Sequence, residues 1–272
     1  MMRIVRALAW SAIVAIVLLA IAGGGLYCVS QRRLDRTWHI TAHALSVPAD
    51  SLAVDRGRHL ATAIARCADC HRADFGGGPY IDAPLRGRLH AANLTRGKGG
   101  IGGQYSDLDW ERAIRHGVKP DGSALLFMPS VAFQHLGDED TAALIAYLKT
   151  LPPVDREPAA NSVGPIARAL LVHGDLALLP AEAIDHAAAH ASPVPMSASA
   201  EYGRYLARIG GCEGCHGPGH YSEEDFFRAL REGKRPDGTP LDSLMPYRFT
   251  RQMTDDEIRA LFLYLKTVKR RR

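Results

Sequence analysis

Hydrophobic residues in this chain form one long uncharged run at the amino terminus and shorter helical patterns further along. The run extends from Ala7 to Ser30, and arginines at positions 3, 6, 32 and 33 flank it. A helix needs about 20 predominantly apolar residues to cross a bilayer core. We therefore predict a signal-anchor or transmembrane helix over residues 1–30 and a connector over residues 31–50.

A cleaved secretory signal is the alternative interpretation of this run. The sequence AIA at 20–22 is a small-residue cleavage site behind the apolar stretch from Ala7 to Leu19. We favour the anchor because the uncharged run continues to Ser30, beyond the apolar segment of a signal peptide. Under either interpretation residues 31 onward lie outside the cytoplasm.

Beyond residue 50 the chain contains three segment pairs that recur in the same order. The first pair is RGRHLATAIARCADCH (56–71) and YGRYLARIGGCEGCH (202–216). The second is RAIRHGVKPDGSALLFMP (112–129) and RALREGKRPDGTPLDSLMP (228–246), and the third is GDEDTAALIAYLKT (137–150) and TDDEIRALFLYLKT (254–267). We predict a duplicated domain, with copies at 51–154 and 200–272 and an inter-domain segment at 155–199.

Each copy has a helical pattern, so we predict an all-α fold of two tandem domains. One helix precedes the cysteines, a second opens at Ser106 or Ser222 with Asp three residues on, and a third ends at YLKT. Gly57 and Gly203 precede the cysteines, where a missing side chain would let another helix cross closely or would serve as a helix cap. The apolar residues of 159–190 predict that this stretch packs across both domains.

Charge is nearly balanced, with 33 Lys+Arg against 29 Asp+Glu. A balance of this kind provides no large basic field for nucleic acid. We therefore predict no nucleic-acid partner. The basic residues at the carboxyl end, Lys266 and those at 269–272, are interpreted as a solvated helix end in preference to a site for anionic lipid or an acidic partner.

Four of the five cysteines form two C-x-x-C-H motifs, the pattern of covalent c-type haem attachment. Two thiols at this spacing reach the two vinyl groups of one porphyrin, and the adjoining histidine is left to coordinate iron. The motifs predict two covalently bound haem c groups. Their attachment residues are Cys67, Cys70 and His71 in the first motif, and Cys212, Cys215 and His216 in the second.

A redox disulfide or half of a zinc site is the alternative for an isolated C-x-x-C. Two copies, an immediate histidine in each and an exported chain argue against both alternatives.

Iron also needs a ligand on its other face, and Met128 and Met245 occupy equivalent positions after a PDG turn and before a proline. Met196 lies in the inter-domain segment, and Met253 aligns with Leu136 instead of a methionine. We predict His71, Met128, His216 and Met245 as the iron ligands. Core packing is the alternative for the methionines. Bis-histidine ligation is disfavoured because none of the other ten histidines recurs in both copies.

At these residues the chain resembles the class I c-type cytochromes, and more narrowly their membrane-anchored dihaem members that partner periplasmic dehydrogenases. Further matches are NLT (93–95), GIGG (100–103), both PDG turns and both YLKT ends. The resemblance implies a small helical bundle around each haem, with the histidines proximal and the methionines distal. It also implies a single-pass protein of a bacterial cytoplasmic membrane, with the haem domains in the periplasm, that passes electrons from a dehydrogenase to an oxidase or another cytochrome.

The second copy is shorter, since 33 positions separate Cys212 from Met245 where 61 separate Cys67 from Met128. The missing part corresponds to Phe75–Tyr105, which we expect to wrap the first haem. Its loss predicts a second haem that is more open to water and to a partner, and two unequal reduction potentials.

These observations predict an electron carrier that catalyses no reaction of its own. The alternative function is a dihaem enzyme, such as a peroxidase, with one open iron. A cysteine-ligated haem enzyme is disfavoured, because the one spare cysteine, Cys28, lies in the leader.

Overall fold

The computed structural model describes residues 2–174, 178–188, 194–216 and 221–268, and it opens with helix α1 (Met2–Leu34). This helix is long and apolar enough to cross a membrane, and its apolar window is not buried by the rest of the chain. A signal sequence near the amino terminus also satisfies these criteria of length and apolar composition, so α1 fits both interpretations of the sequence. Cys28 lies on the exposed surface of this helix.

The carboxyl end of α1 packs against a helix from the inter-domain segment, α7 (Pro165–His173). Arg168 on α7 donates hydrogen bonds to Ser30 Oγ at 2.8 Å and to Gln31 Oε1 at 2.9 Å. Its guanidinium also lies 4.4 Å from the centre of the Tyr27 ring. Because these contacts bury Ser30 and involve Gln31, helix α1 runs four residues past the predicted end at residue 30.

The first helical unit (residues 51–154) contains short helices on either side of a β-hairpin. Its helices are α2 (Ser51–His59), α3 (Cys67–His71), α4 (Asp107–Glu111), α5 (Ser130–Phe133) and α6 (Asp138–Thr150). Helix α2 continues as a π-helical turn over Leu60–Ile64, and α4 continues as another over Arg112–His116.

The first π-helical turn accommodates one extra residue. Ten positions separate Gly57 from Cys67, whereas nine separate Gly203 from Cys212. A π-turn inserts a residue into a helix without ending it. The first cysteine motif therefore keeps its place after the helix despite the longer sequence.

A small sheet corrects the all-α expectation. Strands β1 (Gly78–Ala83), β2 (Gly87–Ala91) and β3 (Ser162–Val163) form an antiparallel sheet in the order β1-β2-β3. The strands are mostly half-buried or exposed and carry few apolar residues, so the sequence lacks the alternation of apolar and polar residues that indicates a strand with one buried face. Gly87, at a φ of 102°, allows the close approach of β3, because a Cβ there would lie 2.2 Å from Ser162 O.

The second helical unit (residues 200–268) repeats the order of the helices without the hairpin. Its elements are α8 (Ala200–Ile209), a 3₁₀ turn (Cys212–Gly214), α9 (Glu223–Glu232), α10 (Tyr247–Thr250) and α11 (Asp255–Thr267). The predicted capping box at Ser106 is confirmed, and Ser222 accepts the backbone N–H of Asp225 at the start of α9. The basic residues at 269–272 lie outside the described residues.

The two predicted glycine crossings are present. Helix α2 crosses α6, and a Cβ on Gly57 would lie 1.9 Å from Ala143 O. Helix α8 crosses α11, and a Cβ on Gly203 would lie 1.9 Å from Ala260 O. These glycines are required by close helix contact, and neither ends its helix, so the capping alternative is wrong.

The two helical units share one hydrophobic core cluster, which includes Leu60, Ile64, Leu206, Ile209 and Ile258. A polar network crosses the same boundary. His59 contacts Glu257 at 2.8 Å and Tyr205 donates to Asp140 at 2.6 Å across the boundary, while Arg56 pairs with Asp140 at 2.8 Å within the first unit. The relative position of the units is thus fixed by packing and by buried charge.

The buried leucines of the inter-domain segment pack against the connector and the first helical unit. Leu171, Leu178 and Leu179 form a second core cluster with Trp38, Val118 and other residues of the connector and the first helical unit. The expectation that this stretch packs across both domains is therefore corrected. The leucines are buried there because the connector and the first unit together form an apolar surface. Residues 175–177 and 189–193 lie outside the described residues.

Candidate functional site

The first cysteine motif lines a cavity of about 890 Å³. Cys67, Cys70 and His71 are on its wall, and so is Met128, which reaches it from the segment before α5. Cofactor and ligand sites have volumes of roughly 300–1,000 Å³. The folded chain therefore brings together four residues that the sequence spreads over 61 positions.

The cavity wall is mainly apolar and carries several polar residues. Buried apolar residues from several elements contribute to it: Leu94, Trp110, Ile114, Phe133, Leu144 and Leu148. Polar lining residues include Lys119, Asn161 and Arg168. This distribution suits a flat, mainly apolar ligand that also carries charged groups. It fits haem, whose ring is apolar and whose propionates are anionic.

His71 is held by its backbone surroundings in a form that can bind a metal. Its Nδ1 lies 2.8 Å from Ala92 O, which leaves Nε2 as the nitrogen available for iron. Burial lowers the pKa of His71, and this favours the neutral imidazole that metals require. The proximal role predicted for His71 is compatible with this geometry.

The cysteines are free thiols, and the two leading ones are strongly desolvated. Burial raises the pKa of Cys67 to about 12 and that of Cys212 to about 11. A redox-active C-x-x-C pair needs a lowered thiol pKa instead. In the part of the chain that the structure describes, no group of three or more His, Cys, Asp or Glu side chains is placed to hold a metal ion. The disulfide and zinc alternatives therefore fit poorly, while covalent attachment of a porphyrin with one histidine fits.

The segment carrying Met128 is fixed by neighbours that are distant in sequence. Phe127 adopts a left-handed backbone with a φ of 62°, and its N–H donates to Leu178 O at 2.9 Å. The Phe127 ring also lies 5.7 Å from that of Tyr80 on β1. After Pro129, Ser130 Oγ donates to Ala113 O at 3.2 Å. The inter-domain segment thus helps to position the predicted distal ligand.

The segment between Phe75 and Tyr105 forms one wall of the cavity, as its position in the sequence predicted. Asn93, which is fully buried, donates to Val154 O at 2.7 Å and to Arg156 O at 3.0 Å. Thr95 Oγ1 donates to Asn93 Oδ1 at 2.8 Å. The NLT sequence therefore ties this wall to the end of the first helical unit.

The second cysteine motif is more open. Cys212 is partly buried at the start of the 3₁₀ turn, whereas Cys215 and His216 are exposed. Met245 is partly buried and packs against the shared core cluster, while the preceding Leu244 is 90% exposed. Residues 217–220 lie outside the described residues. The greater exposure agrees with the expectation drawn from the shorter second copy.

The remaining methionines behave as the comparison of the two copies predicted. Met253 is 4% exposed in the shared core, at the position equivalent to buried Leu136. Met196 is 69% exposed in the inter-domain segment. Neither lines the cavity at the first motif.

Two residues near the first motif were not predicted. Tyr80 lines the cavity, and so does Arg66, which lies directly before Cys67. A signal for Arg66 was present in the sequence, because the second copy has Gly211 at the equivalent position. No comparable signal marks Tyr80, which lies on the hairpin that the second copy lacks.

Comparison with known proteins gives a family match to Cytochrome c over residues 54–152. The cytochrome c subunit of an alcohol dehydrogenase (quinone) from Gluconacetobacter polyoxogenes is 33% identical over 127 residues, which cover 43% of this chain and 27% of that protein. The gluconate 2-dehydrogenase cytochrome c subunit of Pantoea cypripedii is 27% identical over 276 residues, covering 81% of this chain and 60% of that protein. A diheme cytochrome c-type protein of Cereibacter sphaeroides is 29% identical over 188 residues, covering 63% of this chain and 60% of that protein. The chain thus spans between 27% and 60% of the length of these relatives.

Proposed function

Because residues 54–152 form a cytochrome c domain, we propose that the chain is a dihaem electron-transfer protein, built of two tandem domains at 51–154 and 200–272. The observation that carries this proposal is the cavity that joins Cys67, Cys70, His71 and Met128. The equivalent glycine crossings and the second C-x-x-C-H motif support the extension to a second haem.

In the first domain each residue has a distinct task. Cys67 and Cys70 would tether the porphyrin, and His71 Nε2 and Met128 Sδ would hold its iron. Ala92 O fixes the orientation of the His71 ring through its hydrogen bond at Nδ1. The buried side chains of the core side exclude water from the site. When bound, haem supplies a one-electron ferric/ferrous couple.

In the second domain Cys212, Cys215, His216 and Met245 have the same tasks in a more exposed site. The exposure of Cys215 and His216 supports the assignment of this site as the one that a protein partner approaches. Solvent exposure is one determinant of the haem reduction potential, so the two sites should differ in potential.

We also propose that α1 anchors the protein in a bacterial cytoplasmic membrane with both domains in the periplasm. The named relatives include cytochrome subunits of an alcohol and a gluconate dehydrogenase. By analogy, this chain would accept electrons from a dehydrogenase and pass them to an oxidase or another cytochrome. It would catalyse no reaction of its own.

The experiment that tests this function is optical spectroscopy of the haem-loaded full chain. We expect two covalent haems per chain by haemochrome assay, low-spin spectra, the weak near-infrared band of methionine ligation, and no reaction of the reduced protein with carbon monoxide. A single haem would contradict the dihaem proposal. Rapid carbon monoxide binding at one iron would favour the dihaem enzyme with an open coordination position.

A further inference from the structure

We propose that Arg66 provides a positive charge to both haem sites, because it lies directly before the first cysteine motif and contacts the backbone directly before the second, and that this charge raises both reduction potentials. This inference rests on the proposed function, because it requires two haems. It concerns a residue of the junction between the sites and not a ligand of either iron.

The backbone of Arg66 is the first observation. Arg66 caps the motif helix α3 with φ 54° and ψ 39°, in the left-handed region that disfavours residues with a Cβ. In the second copy the equivalent cap is Gly211, with φ 71° and ψ 16°, where no such penalty applies. The first copy therefore keeps a large side chain at a position where the backbone favours glycine. Strain of this kind often accompanies a functional constraint.

The second observation is what the side chain reaches. Arg66 Nη2 donates to Gly210 O at 3.3 Å, and it lies 4.0 Å from the position that a Cβ on Gly211 would take. Gly210 and Gly211 directly precede Cys212. The residue before the first motif thus contacts the backbone before the second, which a glycine at position 66 could not do.

The charge of Arg66 is the third observation. Among the described residues Arg66 forms no ion pair, so no carboxylate neutralises its guanidinium at close range. The guanidinium opposes the rise that burial causes in the pKa of both Cys67 and Cys212. One unpaired positive charge therefore acts on the leading thiols of both motifs.

Neighbouring contacts hold the two motifs at this junction. Helix α10, which follows Met245-Pro246, packs on the π-helical turn before the first motif, and α5, which follows Met128-Pro129, packs on α8 before the second. Arg248 on α10 also pairs with Asp69, inside the first motif. The packing is reciprocal, so Arg66 lies in a junction that both domains define.

A positive charge near a haem favours the ferrous state, which carries one positive charge fewer. Because Arg66 acts on both motifs, removing its charge should lower both potentials. Because Arg66 is only partly exposed, solvent and salt screen its charge less than that of a fully exposed side chain.

The test is a spectroelectrochemical titration of the haem-loaded full chain with Arg66→Gly, Arg66→Lys and Arg58→Gln. Arg66→Gly copies Gly211 and relieves the left-handed backbone, so folding should be preserved. We expect it to lower both midpoint potentials by up to about 60 mV. This corresponds to a tenfold change in the ferric/ferrous equilibrium constant, at 59 mV per tenfold for one electron. Arg66→Lys retains the charge and should shift both potentials much less.

Arg58→Gln is the matched control, because it removes one positive charge from the same segment at an exposed side chain that pairs with Asp55. It should leave both potentials nearly unchanged. If Arg66→Gly fails to fold, Arg66→Asn repeats the test, since asparagine tolerates the left-handed region.

Unchanged potentials in Arg66→Gly would overturn the inference, and so would a shift confined to one haem, which would show that the charge is not shared. The haemochrome assay separates these results from failure of the proposed function. A wild-type chain with fewer than two haems would contradict the proposed function itself. Two haems with potentials that do not shift in Arg66→Gly would contradict only the role of Arg66.

Discussion

His71 and His216 hold equivalent positions in the two C-x-x-C-H motifs but have different surroundings. His71 is partly buried and bonded to Ala92 O, whereas His216 is exposed. A buried, oriented imidazole is a better-fixed metal ligand than one at the surface. The first site is therefore the more rigid of the two, and the difference lies in the residues around each histidine.

Replacement of Met128 by histidine tests its proposed role as an iron ligand. A histidine in place of a thioether stabilises ferric iron, so one of the two midpoint potentials should fall by on the order of 0.1 V or more, within the ~0.8 V that axial ligands span. Redox titration with near-infrared spectra measures both the shift and the loss of one methionine band. Met196→His is the control, since Met196 is exposed and away from the cavity. An unchanged potential in Met128→His would exclude Met128 as the ligand.

The helix crossings α2–α6 and α8–α11 set the geometry of each helical unit. In both, a glycine lets one helix contact the backbone of the other, and a tyrosine of the crossing helix, Tyr147 or Tyr264, lies beside the contact. The first crossing tolerates an extra residue downstream because the π-helical turn absorbs it. Each cysteine motif is thereby held at the end of a fixed helix.

Gly57→Ala and Gly203→Ala test these crossings. In each variant the new Cβ would lie 1.9 Å from a backbone oxygen, so the helices must separate. We expect a loss of about 1–3 kcal/mol in the free energy of unfolding, as for other overpacked sites, or failure to fold. Gly103→Ala is the control, because the nearest atom to its Cβ would be at 4.0 Å. Thermal unfolding of the three variants measures the difference, and an equal stability of Gly57→Ala and Gly103→Ala would contradict the close crossing.

At the scale of the whole molecule the two helical units are joined by buried charges as well as by the shared core. Glu257 at the start of α11 receives contacts from His59 and Arg56 of α2 and from Tyr202 of α8. Burial alone would raise the pKa of Glu257, but the His59 hydrogen bond and charge, the Thr254 N–H and the Arg56 charge together hold it below its ordinary value. The ionised carboxylate therefore stabilises the contact between the units.

This lowered pKa predicts a pH dependence of stability. The contribution of Glu257 is present above its ordinary pKa of 4.5 and is lost as the pH falls through the lower folded value. Glu257→Gln keeps the capping hydrogen bond to Thr254 but not the charge. We expect it to destabilise the protein by about 1–3 kcal/mol at neutral pH, with the difference from wild type narrowing below pH 4.5.

Chemical denaturation at several pH values measures this difference. Glu223→Gln is the matched control, because Glu223 makes an exposed pair with Arg259 and its loss should change stability little at any pH. A difference between wild type and Glu257→Gln that stays constant down to pH 3 would contradict the ionised state of Glu257.

Several features could be predicted from the sequence because they depend on local patterns. The helix before each cysteine motif, the cap at Ser106 and the ends of α6 and α11 follow from residue spacing and capping chemistry. The hairpin could not be predicted, since its strands carry few apolar residues and these do not alternate with polar ones. The predicted helix end at residue 30 was four residues too early. The contacts of Ser30 and Gln31 are made by Arg168 on α7, which is more than 130 positions away in the sequence.

By itself the sequence determined which residues are candidates for haem attachment, since the spacing of two cysteines and a histidine is the pattern of such a site, and its repetition predicts two sites. Only the tertiary structure decided how these parts relate. It brought Met128 and His71 to the wall of one cavity, hydrogen-bonded His71 to Ala92 O, left His216 exposed, and placed Arg66 against the backbone before the second motif. The physical reason is that covalent spacing and capping act between neighbours in the chain. Cavity shape, burial and shared charge depend on residues that become neighbours only when the chain folds.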